Sequence, residues 1–374
     1  MAILVWLRQH IFLGVALLLL LISSYWHLPD IHDIDWLVMA LLFNLMLVVR
    51  GLTRCNLLEY LALKLLRRCS NERNLAQILC SICFISAMFI TNDVALLVFV
   101  PLTIIILRQV DVDGGRLVIL ETLAANLGSS FSPLGNPQNL FIYAHFNFSL
   151  SGFLADSFPL LVLGAAYLGW LIKQIPHKSL QLQTAVPTVA KLPCGIFSGL
   201  FLLVLASVTG LVNYWWVSGI VVVASLILQP RQFQRIDFPL LALFMIFFLL
   251  IGNLLHFPDL MSSIQWGLNF PAADYWLGLG LSQIISNVPA ALLLAPVNRS
   301  PQLLLWGVNV GGMGTLIASM ASLISYRLYS AHFPQQRLKY LNSFLRYNFI
   351  GVVLFSIVLS CLAFIMRYLS LLNF

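Results

Sequence analysis

Residues 88–102 read MFITNDVALLVFVPL, a Thr-Asn-Asp triplet inside a run that is otherwise apolar. A carboxylate at membrane depth costs on the order of 2.5 to 3.5 kcal/mol by insertion scales, and such residues mark ion or proton routes. The surroundings decide whether Asp93 carries that cost. Of the 374 residues, 60% are hydrophobic and 9% are charged, and apolar segments recur along the whole length without a polar domain between them. This composition defines a polytopic membrane protein, so the lipid bilayer is its first partner.

The loops divide by charge. Residues 11–28 follow Arg8 without a small-x-small cleavage pattern, which reads as a retained helix rather than a removed signal. Let 11–28, 36–49, 116–143, 153–172, 193–210, 214–228, 238–255, 301–326 and 347–369 cross fully, about nine spans, while 74–107 and 274–298 enter and return on one side. All Lys and Arg except Arg299 and Arg367 then share one face, including Arg50, Arg54, Lys64, Arg68, Arg73, Arg108, Lys178, Arg235 and Lys339. The positive-inside rule makes that face cytoplasmic, with the N-terminus inside and the C-terminus outside. The net charge of +7 is therefore a topology signal. Nucleic acid is excluded as a partner because no basic water-soluble module exists.

Outward from the opening stretch, FITNDVALLVFVP (89–101) lines up with IISNVPAALLLAP (284–296), pairing Asn92 with Asn287 and Pro101 with Pro296. NLGSSFSPLGNPQNLFIY (126–143) lines up with NVGGMGTLIASMASLISY (309–326), pairing Asn126 with Asn309 and Gly128 with Gly311. With the first hairpin entering from the cytoplasm and the second from outside, this is an inverted-topology repeat. The fold class is an all-α polytopic membrane protein with two re-entrant helical hairpins and two broken helices. The organisation is a first membrane helix in 1–35, repeat 1 in 36–172 (hairpin 74–107, broken helix 116–143), a linker with two spans in 173–237, and repeat 2 in 238–374 (hairpin 274–298, broken helix 301–326).

Helix breaks expose backbone groups that lipid cannot satisfy, so they persist where protein or a water-lined cavity does. At the tips, Thr91-Asn92-Asp93 and Ser286-Asn287 offer N-cap residues to the returning arms, and Pro289 fits a first turn. In SPLGNPQN (132–139), Gly135 permits an unusual turn, Asn136 caps and Pro137 restarts the helix; Ala318 and Ser319 stand at the equivalent positions of TLIASMAS (315–322). Half-helix N-termini attract an anion, and the exposed carbonyls with Asn, Ser and Thr oxygens suit a hard cation such as sodium. The expectation is a coupled site for an anion and an ion.

These residues resemble the ion transporter superfamily of divalent-anion/sodium symporters, citrate permeases and arsenite and sodium/proton permeases, over roughly residues 30–370. Where the anion symporters carry Ser-Asn-Thr at each tip, this chain has Thr91-Asn92-Asp93 and Ser286-Asn287-Val288. Their Gly-[Ser/Thr]-Pro-Pro-Asn motif corresponds to Gly135-Asn136-Pro137-Gln138-Asn139 and to Ala318-Ser319-Met320-Ala321-Ser322. The Asn-Asp tip and GTLIASMASL (314–323) look closer to the arsenite-permease branch. The resemblance implies one sodium site at Thr91, Asn92 and Gly135 and another at Ser286, Asn287 and Ala318, with Asp93 also available to the coupling ion. It implies a substrate site at Asn92, Asp93, Asn136, Pro137, Asn287 and Ser319. It further implies an elevator motion, commonly in a homodimer, in a bacterial cytoplasmic (inner) membrane.

The functional expectation is a secondary active transporter of an anion (dicarboxylate, citrate-like or metalloid oxyanion) coupled to sodium or protons, with no other cofactor. A sodium/proton antiporter using Asp93 is the alternative. An intramembrane enzyme would need a second acid, a Ser/His pair or zinc-ligand spacing, and the sequence has no HExxH or paired aspartates. Four further expectations concern packing. Glu121, near the cytoplasmic start of its helix, snorkels or pairs with Arg116 or Arg108. Asn44 and Asn253 make interhelical hydrogen bonds. Cys80 and Cys83 pack as small apolar residues. His145, His177, His256 and His332 form no ligand-spaced cluster.

Overall fold

The computed structural model describes residues 11–67, 69–107, 112–180, 187–267 and 269–372. Arg8, Arg68 and Arg108 lie outside them, as do the side chains of Arg235 and Arg367. In chain order the helices are α1 (Ile11–Ser23), α2 (Trp36–Arg54), α3 (Leu57–Leu66), α4 (Glu72–Ile90), α5 (Asn92–Leu107), α6 (Gly114–Ser129), α7 (Pro137–His145) and α8 (Leu150–Lys173). They continue with α9 (Lys191–Val208), α10 (Tyr214–Leu228), α11 (Phe238–Leu255), α12 (Pro258–Gly267), α13 (Ala273–Ile285), α14 (Asn287–Leu294), α15 (Pro301–Gly311), α16 (Met320–His332) and α17 (Arg337–Leu372). Among the described residues the regular elements are all helical, and the extended pairing is a single bridge between Asn71 and Ser179.

Among the described residues, six helices are long and apolar enough to cross a bilayer: α2, α4, α8, α9, α11 and the stretch Pro334–Met366 that includes most of α17. The expected crossings at 116–143 and 301–326 are each two shorter helices with a non-helical interval. Helix α4 has the length of a full span, although the loop charges assign it to a hairpin; apolar length alone does not distinguish the two.

Two compact units divide the chain, Met1–Cys55 with Lys191–Phe270, and Asn56–Ala190 with Pro271–Phe374. The division cuts across the two expected repeats. The opening helix of each half, α2 and α11, belongs to the first unit, and the remainder of each half belongs to the second.

In the first unit α2 packs against α9, α10 and α11, and α1 lies along α11. Lipid tails supply no hydrophobic force between helices, so close approach and interhelical hydrogen bonds, worth about 0.6 kcal/mol each, hold such a bundle. Asn44, fully buried in α2, donates to Ser218 Oγ at 2.8 Å, and Asn253 in α11 donates to Ser23 Oγ at 3.0 Å, as the sequence reading expects. The rings of His27 and His256 stack with centroids 3.7 Å apart, a contact the loop assignments do not suggest.

In the second unit the closest pairings are α4 on α6 and α13 on α15, the same pair of elements from each half. Glycines permit both. Gly128 faces the Phe84 carbonyl and Gly307 the Tyr275 carbonyl so closely that a Cβ on either would run into the oxygen. The arms then exchange partners: α5 packs on α16 of the other half, and α14 packs on α7. Cys80 and Cys83 are buried free thiols in α4, in keeping with a packing role.

Candidate functional site

All the residues singled out at the tips and breaks lie in the second unit. Helix α4 ends because Thr91 turns to φ 66°, and α13 ends because Ser286 turns to φ 75°. Non-glycine residues in left-handed conformations cost about 1–3 kcal/mol and persist where surrounding contacts dictate them. Those contacts are matched in the two halves. The Asn92 N–H donates to the Gly135 carbonyl at 2.9 Å, and the Asn287 N–H donates to the Ala318 carbonyl at 3.0 Å. Each tip is therefore tied to the interrupted helix of its own half at the position the repeat pairs with it.

The interrupted backbone is satisfied by side chains. In the first half Ser132 Oγ accepts from the N–H groups of Leu134 (3.2 Å) and Gly135 (3.1 Å) and donates to the Met88 carbonyl. Asn136 caps α7 by accepting from the Asn139 N–H at 2.9 Å, with Pro137 in the first helical turn, where a missing N–H costs nothing. Asn139 donates to the carbonyls of Ser129, Ser130 and Ser132 at 3.1 to 3.2 Å. In the second half Gln283 does this work from α13: it donates to the Gly311 and Met313 carbonyls (2.6 and 3.2 Å) and accepts from the Thr315 N–H (3.0 Å).

Side chains then join the halves. Asn126 Oδ1 accepts from Asn92 Nδ2 (3.1 Å) and Ser319 Oγ (3.3 Å), while its Nδ2 donates to Ser322 Oγ (3.2 Å). Asn309 Oδ1 accepts from Asn136 Nδ2 at 3.2 Å, and its own Nδ2 donates to Asn139 Oδ1 at 2.7 Å. Asn92, Asn136, Ser286, Asn287, Ala318 and Ser319 are buried, whereas Thr91 and Asp93 are half-buried. Ser129 Oγ links these groups, accepting from Asn136 Nδ2 at 3.2 Å and donating to the Asn126 carbonyl at 2.9 Å. The N-termini of α5, α7 and α16 thus share one polar network, while that of α14 is held at the Ala318 carbonyl beside Ser319. Asp93 sits in the first turn of α5, its N–H donating to Asn92 Oδ1 at 2.9 Å. Asn126→Ala would leave Asn92, Ser319 and Ser322 each short of a buried partner, at about 1–3 kcal/mol for a stranded group. The expected result is a lower thermal midpoint in detergent.

Two expectations need correction. Ser286 does not cap α14; its hydroxyl turns to the Ala318 carbonyl (3.3 Å) and Asn287 Oδ1 (3.4 Å), because φ 75° directs it away from the helix start. Glu121 neither snorkels nor pairs with Arg116. It is fully buried, Thr103 Oγ1 donates to its Oε1 at 2.6 Å, and Arg116 instead donates to the Leu171 and Gln174 carbonyls. Arg108 lies outside the described residues. The site reading also omits Asn126, Asn139, Asn309 and Ser322, although the repeat already places Asn126 opposite Asn309.

Apolar spans surrounding broken helices that gather a buried polar network define a membrane transport protein. The chain belongs to the citrate transporter family, whose profile matches residues 2–303. It is 36% identical over 303 residues to the inner membrane protein YbiR of Escherichia coli, covering 79% of this chain and 80% of that protein. It is 32% identical over 323 residues to an uncharacterized transporter of Methanocaldococcus jannaschii, covering 85% and 88%. A shorter match, 28% over 135 residues, joins 35% of this chain to 27% of a silicon efflux transporter of Oryza sativa subsp. japonica. The chain is a polytopic membrane transporter, not an enzyme.

Proposed function

We propose that the protein is a secondary active transporter of the cytoplasmic membrane that moves an anion, coupled to sodium or protons, through the network in the second unit. The observation that carries this reading is the matched pair of tip bonds, Asn92 to Gly135 and Asn287 to Ala318, which repeats one arrangement in both halves. An inverted repeat supplies two related half-sites in this way. Ser286 Oγ has the Ala318 carbonyl at 3.3 Å and Asn287 Oδ1 at 3.4 Å, and the three oxygens together make a donor set suited to a hard cation. Thr91, Asn92 and Gly135 form its counterpart. Asn92, Asp93, Asn136, Pro137, Asn287 and Ser319 surround the substrate, whose negative charge the four helix N-termini favour.

Alternating access follows the elevator scheme, a reading supported by every proposed site residue falling within one compact unit. The half-buried Asp93, which has Val288 opposite it in the repeat, favours one second reading, a sodium/proton antiporter. Reconstituted protein should take up citrate, a dicarboxylate, arsenite or a related oxyanion saturably, and faster under an inward sodium or proton gradient imposed separately. Sodium-for-proton exchange that needs no anion would overturn anion transport and establish the antiporter.

A further inference from the structure

Glu121 is the buried acid that the site does not use. It lies on α6 five residues before Asn126, about 7.5 Å along the helix axis, and its side chain is fully enclosed. Oε1 accepts from Thr103 Oγ1 at 2.6 Å, and Oε2 makes no hydrogen bond with any described residue. A buried carboxylate without a compensating cation is strongly disfavoured, whereas the neutral acid, its Oε1 still accepting from Thr103, leaves one unpaired hydroxyl at Oε2. Among the described residues, the elements packed on α6 place no cation against it. Cys80 and Cys83 face it from α4, Thr103 from α5 and Tyr340 from α17; from α16, Tyr329 stacks on Tyr340 at 4.8 Å, and no charged group of α8 is recorded against it.

Tyr340 has a second neighbourhood. It lines a cleft of about 120 Å³ with Asp113, Arg116, Tyr329, Gln336 and Lys339, at the end of the unit where Lys339 pairs with Asp113 at 3.4 Å. Both partners of that pair are exposed to solvent, so the cleft is wet. The Tyr340 hydroxyl lies 3.3 Å from Ser325 Oγ and within hydrogen-bonding range of Thr122, and negative charge on Glu121 is felt there although no hydrogen bond joins the two groups. Tyr340 therefore lines a solvated cleft and lies within the electrostatic reach of an enclosed acid next to the polar network.

We infer that Glu121 is a proton-binding site separate from Asp93, filled from the Asp113–Lys339 cleft by way of Tyr340. Once Tyr340 and Glu121 close to hydrogen-bonding distance, hydronium in the cleft gives a proton to the phenol oxygen as the phenol passes its own proton to Glu121 Oε2, leaving water in the cleft. Tyr340 ends neutral, Glu121 ends as the acid, and release reverses the sequence. The role of this proton in coupling rests on the transport reading above, but its binding does not.

The test uses purified full-length protein without cargo, followed by infrared difference spectroscopy across roughly pH 5 to 10. Wild type should show a protonated-carboxyl band that fades as pH rises. Glu121→Gln should lack it, and Glu121→Asp, which keeps a carboxyl if the amide variant fails to fold, should shift it. Tyr340→Phe should keep the band but slow its deuterium exchange by about tenfold or more. A band that persists at every pH, or none that the Glu121 variants alter, overturns the proton site. Unchanged exchange in Tyr340→Phe overturns the route. Loss of transport with the titration intact would instead count against the transport reading.

Discussion

Asp93→Asn should raise the concentration of coupling ion needed for half-maximal uptake by roughly ten- to a hundredfold and flatten the pH profile. The substitution keeps the volume of the side chain and removes its charge. Interactions with a charged group contribute about 1.5–3 kcal/mol, which is the origin of that range. Asp93 occupies the first turn of α5, where the helix N-terminus and any bound cation both favour a carboxylate over an amide. Proteoliposome uptake measured against sodium and against pH reads the effect directly. Uptake and pH dependence both indistinguishable from wild type would remove Asp93 from substrate and ion alike.

Gly135→Ala should be among the most damaging single methyls in the second unit. A Cβ there would meet the Ser129 carbonyl oxygen far inside contact distance. Relief requires moving the backbone whose carbonyl receives the Asn92 N–H. Overpacking a fixed site costs about 1–3 kcal/mol, and the tip bond is lost with it, so the protein should show both a lower thermal midpoint in detergent and little transport. The mirror substitution is a sharp control. Ala318 holds the equivalent position with its Cβ already accommodated, so Ala318→Gly should cost about 1 kcal/mol or less, of the order of the glycine entropy term. Equal damage from both would mean that the two tip contacts do not have the separate steric limits described here.

Much of this site is legible in the residues that break the apolar pattern. Asn92, Gly135, Asn136 and Pro137 announce themselves because an amide, a glycine and a proline are costly in mid-membrane unless a helix is interrupted there. The second half is harder to read. Ala318 and Ser319 are ordinary small residues, and their place emerges only through alignment with Gly135 and Asn136. Gln283 gives no local sign of its task, since the carbonyls it satisfies lie 28 and 30 residues away. Glu121 is the instructive error. Distance from a helix start measures depth along one axis, but enclosure depends on neighbours: α4, α5, α16 and α17 all close over α6. Which pieces form compact units was equally hidden, because the repeats follow chain order while the units take α2 and α11 out of it.

The bond between Ser319 and Asn126 spans 193 positions of the chain. A ribosome adds roughly 5–20 residues each second, so Asn126 waits on the order of 10 to 40 s in a nascent protein before its partner exists. During that interval the Thr91–Asn92–Asp93 tip has its own half but not the other half of its network. The first half must therefore remain near water, or beside some other donor of hydrogen bonds, until the second half has been made. Biogenesis, and not only transport, is shaped by the way the two halves share their asparagines.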